Sequence, residues 1–241
     1  MFPNKKLSFN LGEGLSQVQG FGFRVVVFFL LGIAWLLSLS CSPKPDSYIL
    51  LCAGDSLTEQ GYPVYLRRLL KKEGLRVRVY NKGRSGYNSA EYLAYLRAHA
   101  NELRNFQPDF ILLQLGTNDV RTDGDRTSRE EFKANMKEII SLLSQLPTRR
   151  RQSPRLLLGL VPPIKPEANY PFNEESAQRV ETEINPAILS LASELNLPVV
   201  NNWEIFMKRP ELLPGIHPNP EGYQEMARAW FQALLPYLHL R

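Results

Sequence analysis

The chain has 241 residues, 44% of them apolar and 22% charged, which is enough for one domain with a buried core and too apolar for a disordered chain. The formal charge of +5 falls to +3 once residues 1–40 are set aside, because Lys5, Lys6 and Arg24 there outweigh Glu13. So small a balance says little about partners, and no nucleic acid is expected among them. Two cysteines, Cys41 and Cys52, form no C-x-x-C pair and sit on segments of different kinds, so neither a disulfide nor a zinc or redox motif is read from them. With three histidines and no H-E-x-x-H, no metal site is expected.

Residues 25–39 (VVVFFLLGIAWLLSL) are a charge-free apolar run preceded by Lys5, Lys6 and Arg24. The run is shorter than the ~20 residues that span a bilayer, and its basic lead suits the n-region of a signal peptide. Small residues, Ser38 and Ser40, then lead to Cys41 and a polar tether through Asp46. This arrangement resembles a bacterial lipoprotein signal, which implies cleavage before Cys41, lipid on that residue, and a domain held at a membrane outside the cytoplasm. Ser38 stands where such signals usually carry leucine, with Leu37 one place further back. An uncleaved short anchor and an ordinary secretory signal are the alternatives. The organisation expected is therefore a leader or anchor over 1–40, a lipidated cysteine and tether over 41–46, and one domain over 47–241.

From residue 47 strand and helix alternate. Ser47–Ala53 (SYILLCA) reads as a buried strand ending at Gly54. Tyr62–Glu73 carries Tyr65, Leu66, Leu69 and Leu70 on one face and stops at Gly74, a helix with its terminator. Arg76–Asn81 is a second strand, Ser89–Arg104 a second helix, and Asp109–Leu115 a third strand ending at Gly116. Ser128 with Glu131 three residues on forms a capping box for a helix to about Leu146. Arg149-Arg150-Arg151 follows as a solvated loop, with contact to an anionic surface as the alternative. Arg155–Val161 is the fourth strand, Glu174–Asn196 a long helix bent or interrupted near Pro186, Pro198–Asn201 a fifth strand, and Pro220–Leu238 the closing helix. Five strands alternating with helices predict an α/β fold with a parallel sheet covered on both faces. Ligands of such sheets bind beyond the carboxyl ends of the strands.

Those ends carry Gly54-Asp55-Ser56, Gly83-Arg84-Ser85-Gly86 and Gly116-Thr117-Asn118-Asp119, and the last long loop carries Gly215-Ile216-His217-Pro218. Ser56 has two readings, a cap for the next helix or a nucleophile, and the second needs a base within hydrogen-bond reach. Gly86 offers an unshielded backbone N–H and Asn118 a side-chain N–H, the donors that a developing oxyanion requires; as ordinary loop residues they are equally a turn glycine and a cap. His217 is the one histidine set in such a loop, where it is either a base or a structural histidine, whereas His99 and His239 read as surface residues. No G-x-x-x-x-G-K-[ST], no G-x-G-x-x-G after a strand and no G-x-S-x-G occurs, which sets aside nucleotide-binding and α/β-hydrolase-type readings.

Taken together, the four blocks resemble the SGNH, or GDSL-type, hydrolase family, in the family's order and over about residues 47–238. They read Ala53-Gly54-Asp55-Ser56-Leu57-Thr58, Asn81-Lys82-Gly83-Arg84-Ser85-Gly86, Gly116-Thr117-Asn118-Asp119, and Gly215-Ile216-His217-Pro218-Asn219-Pro220-Glu221-Gly222-Tyr223. The resemblance implies a flavodoxin-like three-layer α/β/α sandwich and a cofactor-free serine esterase. In it Ser56 is the nucleophile, His217 its base, and Ser56 N–H, Gly86 and Asn118 the oxyanion hole. Short-chain esters, O-acetylated glycans and lysophospholipids are the substrate classes it allows.

One position departs from the family. Where an aspartate usually stands three residues before the histidine, this chain has Pro214. A backbone carbonyl orienting His217 in a Ser–His dyad, Glu211 reaching in as a substitute acid, and a weakened or dead site are the three outcomes. The last would make the chain a surface-anchored binding protein on a hydrolase scaffold. The proline- and aromatic-rich segment Pro162–Phe172 is expected to line the site, or else to be an ordinary stiffened loop.

Overall fold

The computed structural model describes residues 47–124, 126–150, 152–167 and 169–238. The expected leader, the lipidated Cys41 and the tether, all within residues 1–46, lie outside the described residues.

Five strands form the sheet: β1 (Tyr48–Gly54), β2 (Val77–Gly83), β3 (Phe110–Gln114), β4 (Arg155–Gly159) and β5 (Val199–Val200). All pairings are parallel, in the order β2-β1-β3-β4-β5. The chain steps from β1 to one side, then returns across it to begin β3 on the other. The carboxyl ends of β1 and β3 therefore flank the switch point, where open α/β sheets place their ligand crevice.

Side chains of a strand alternate between faces, and both faces here are apolar. Leu51 and Ala53 of β1 join Ile111, Leu113, Leu156 and Leu158 on one face; Leu50 and Cys52 join Phe110, Leu112, Leu157 and Val200 on the other. A four-residue helix, α1 (Ser56–Glu59), leads from β1 to α2 (Tyr62–Lys72). The first face is covered by α3 (Ser89–Ala98), α4 (Ala100–Phe106), α5 (Arg129–Ser144), α6 (Glu174–Arg179) and α7 (Asn185–Leu195). An unforeseen helix, α8 (Asn202–Lys208), follows β5. The second face is covered by α2 and α9 (Pro220–Leu234). The result is the three-layer sandwich expected. Each fully buried leucine adds roughly 1.5–3 kcal/mol. Trp230 of α9, fully buried and stacked on Tyr62 at 5.7 Å, anchors the second face. Burial also pushes the Cys52 thiol up to about 12, which leaves it protonated and inert.

The structure refines the elements read from the sequence. The second helix breaks at His99 into α3 and α4. The long helix over 174–196 is interrupted by a π-helical turn, Val180–Ile184, with Pro186 at the start of α7. Pro186 has no N–H to continue the ladder. The arginine loop is not simply solvated: Arg149 and Arg150 both donate to the Ser47 carbonyl, Arg150 ion-pairs with buried Asp109 at 3.0 Å, and its guanidinium lies over Tyr48.

Candidate active site

Ser56 is the first residue of α1, directly beyond the end of β1. It does not cap that helix. The cap is Asp55, whose side chain accepts from Leu57 N at 3.0 Å. The Ser56 hydroxyl is thereby left for another partner, which is His217: its Nε2 lies 3.0 Å from Ser56 Oγ, across 161 residues of chain.

His217 is carried by the loop before α9. Asn219 caps α9 by accepting from Gly222 N at 2.9 Å, and its own N–H donates to the Leu212 carbonyl, which fixes the loop's exit. The ring is half-buried, and burial holds the imidazole below its ordinary value, with the Glu167 carboxylate opposing that shift. A base with a depressed pKa is neutral at pH 7, the state that can take a proton.

The end of β2 and the loop after it are bound to α1 and to the end of β1. Asn81 Nδ2 donates to the carbonyls of Thr58 and Glu59, Arg84 N donates to Gly54 O, and Ser85 N donates to Glu59 Oε2. Gly86 then adopts φ +81°, a left-handed conformation that glycine takes without strain, with open space where a Cβ would stand. Asn118 sits in a 3-10 turn (Asn118–Val120) beyond β3 and is 6% exposed; its Nδ2 donates to the Tyr87 carbonyl at 3.0 Å, next to Gly86.

A set of buried bonds holds the Asn118 turn from beneath. The buried Asp119 carboxylate accepts from Ser89 N, Ser89 Oγ and Thr127 Oγ1. Ser176 Oγ donates to Val120 O. Arg179, only 4% exposed, donates to the carbonyls of Asp119 and Thr127 and to Glu183. Sequence reading missed Arg179, because an arginine on an amphipathic helix looks like a solvent-facing residue. Burial pushes Asp119 up, partly offset by those donors, and it pushes Asp55 from an ordinary 3.8 to about 7.

Glu211 does not reach the histidine. Its side chain is exposed and ion-paired with Arg209 at 3.0 Å, and its backbone carbonyl accepts from Asn219. The substitute-acid expectation for Glu211 is corrected accordingly: it lies in a 3-10 turn (Pro210–Leu212), and its exposed side chain meets Arg209 instead. The carboxylate beside His217 comes from elsewhere, the loop after β4. Glu167 Oε1 accepts from Ile216 N at 2.7 Å, and Tyr170 meets the imidazole edge-on at 5.8 Å. Segment Pro162–Phe172 thus does flank the site. No sequence signal marked Glu167, since its partner is a backbone N–H 49 residues away. Among the described residues no cluster of three metal-ligating side chains is present, and no helix is long and apolar enough to cross a membrane.

Residues 52–225 match the model of the GDSL-like lipase/acylhydrolase family. An acetylxylan esterase of Xylanibacter ruminicola is 26% identical over 225 residues, covering 80% of this chain and 44% of that protein. A multidomain esterase of Ruminococcus flavefaciens is 23% identical over 276 residues, covering 97% of this chain and 34% of that protein. The chain spans less than half the length of either. Among solved structures, a lipase/acylhydrolase from Enterococcus faecalis superposes with a TM-score of 0.65 at 20% identity, covering 80% of this chain and 98% of that one. The aryl esterase of M. smegmatis superposes with a TM-score of 0.63 at 19% identity, covering 80% and 100%.

Proposed function

The chain belongs to the GDSL-like lipase/acylhydrolase family, whose chemistry is ester hydrolysis, and on that premise we propose that it is a serine esterase acting through an acyl-enzyme on Ser56. The observation that carries the reading is the 3.0 Å contact between His217 Nε2 and Ser56 Oγ. Nucleophile and base must lie at that distance.

In this reading Ser56 Oγ attacks the ester carbonyl carbon while its proton passes to His217 Nε2. The carbonyl oxygen becomes an oxyanion held by Ser56 N–H, Gly86 N–H and the second N–H of Asn118. Collapse breaks the carbon–oxygen bond to the alcohol, which leaves with the proton from Nε2. Water then attacks the acyl-enzyme with His217 again as base, and the acid departs. No cofactor is needed for any step.

For substrate we favour a short acyl ester, acetate above all, on a glycan. Both sequence relatives are named as esterases, one of them an acetylxylan esterase. Tyr170, 43% exposed beside His217, offers a flat face of the kind a sugar ring covers. Residues 25–46 add a lipid on Cys41 and a position at a membrane outside the cytoplasm; loss of fatty-acid labelling in Cys41→Ala is the expected result, and undiminished labelling would contradict it.

A fluorophosphonate probe tests the central assignment. It labels the folded wild-type chain and not Ser56→Ala if the reading is right. No labelling of the folded wild type would instead favour a binding protein on a hydrolase scaffold.

A further inference from the structure

The site lacks the family's usual acid, yet a carboxylate still stands at the histidine loop. Glu167 leaves the strand β4 side of the crevice and lays its side chain along the backbone that precedes His217. Its Oε1 is 2.7 Å from Ile216 N, and a Cβ added at Gly215 would fall 1.5 Å from that same oxygen. The carboxylate therefore occupies space that only a glycine at position 215 leaves open, and it grips the residue immediately before the base.

We propose that Glu167 is the positioning acid of this site, standing in for the carboxylate that Pro214 cannot supply. This rests on the esterase reading. Two actions are separable. The clamp on Ile216 N fixes the direction in which His217 leaves the loop. The negative charge stabilises the imidazolium that forms when the Ser56 proton moves to Nε2, as a triad acid does. It acts through its field and the clamp, because among the described residues no hydrogen bond joins it to the ring.

The surroundings leave Glu167 as the charge that matters. Ser56 approaches the ring from α1 and Tyr170 from the β4 loop, both neutral. Lys165, on the same loop, donates to the Pro210 carbonyl. Glu211 is held at Arg209. Among the described residues, the Glu167 carboxylate is the charged group that favours the protonated His217 ring, against the larger effect of burial.

Glu167→Gln separates charge from clamp, because a glutamine Oε1 still accepts from Ile216 N. On the full chain, kcat/KM for a p-nitrophenyl ester is followed against pH. The expected result is a roughly tenfold to hundredfold lower plateau with little change in KM, and an acid limb moved to lower pH, since the neutral amide no longer favours the imidazolium. The His217 ring titration followed by NMR in Ser56→Ala, with and without Glu167→Gln, shifts the same way without relying on turnover. A Glu167→Gln enzyme with the wild-type plateau, limb and ring titration would overturn the proposal, and a loss seen only in Glu167→Ala would reduce Glu167 to a structural clamp. A folded wild type with no ester turnover would instead remove the esterase reading, while the ring titration would still report on Glu167.

Discussion

Asn118 donates one side-chain N–H to the Tyr87 carbonyl at 3.0 Å. That bond fixes the amide plane, and in the proposed mechanism the second N–H serves the oxyanion beside Gly86. Removing one oxyanion donor costs on the order of 10²–10³ in rate. Asn118→Ala is therefore expected to lower kcat by that factor with KM within a fewfold, as steady-state kinetics on p-nitrophenyl acetate would show. A loss in KM alone would assign Asn118 to ground-state binding.

Glu211 gives the matching control. Its carboxylate faces Arg209 at the surface, where solvent screens an exposed pair and leaves it little effect on stability. Glu211→Ala should keep kcat/KM within about twofold of wild type at every pH. A drop comparable to that of Glu167→Gln would place the acid on the wrong loop.

Asp55 makes stability depend on pH. The folded domain holds its carboxyl at about 7, chiefly by burial, against an ordinary 3.8. Between those values the folded state keeps a proton that the unfolded chain has released. Asp55 thus costs nothing below about pH 4, and its contribution becomes increasingly unfavourable as pH rises through about 7, by roughly 4 kcal/mol in all at 1.36 kcal/mol per unit. Asn in its place keeps the acceptor for Leu57 N. Asp55→Asn should flatten the fall in urea midpoint between pH 4 and 8; an unchanged slope would show that Asp55 ionises freely.

His217 titrates the other way in activity. Burial holds it below its ordinary value, so the neutral base persists into acid. The acid limb of kcat/KM should lie below about 6.5, the unperturbed value. A limb above 7 would mean that the ring is more strongly stabilised as imidazolium than this geometry allows.

Arg179 holds the β3–α5 loop from beneath at two points, the carbonyls of Asp119 and Thr127. Hydrogen bonds to charged groups are worth about 1.5–3 kcal/mol each. Arg179→Met should destabilise the domain by about 2–4 kcal/mol in denaturant titration, and kcat should fall as the Asn118 turn loosens. Unchanged stability would show that the buried guanidinium is dispensable.

How much of this was legible in the sequence differs from element to element. The three central strands were, because both faces of each are buried and each reads as an apolar run. The four loops were, because they stand at strand ends or before a helix and carry the residue types that acyl transfer needs, Ser56, Gly86, Asn118 and His217. Asp55 as the helix cap was not foreseen, since Gly-Asp-Ser offers two capping side chains and only the backbone decides between them. Glu211 drew attention by nearness in sequence to His217, yet Arg209 two residues away captures it first. Glu167 and Arg179 were illegible because both bind main-chain groups, which leave no mark on side-chain pattern.

The most direct test of the account is the rate of p-nitrophenyl acetate hydrolysis by the purified full chain beside Ser56→Ala. Turnover by the wild type that falls by at least about a thousandfold in Ser56→Ala is the result expected from a nucleophile 3.0 Å from its base. Equal rates in the two, or no turnover by the folded wild type with any acyl chain, would contradict it.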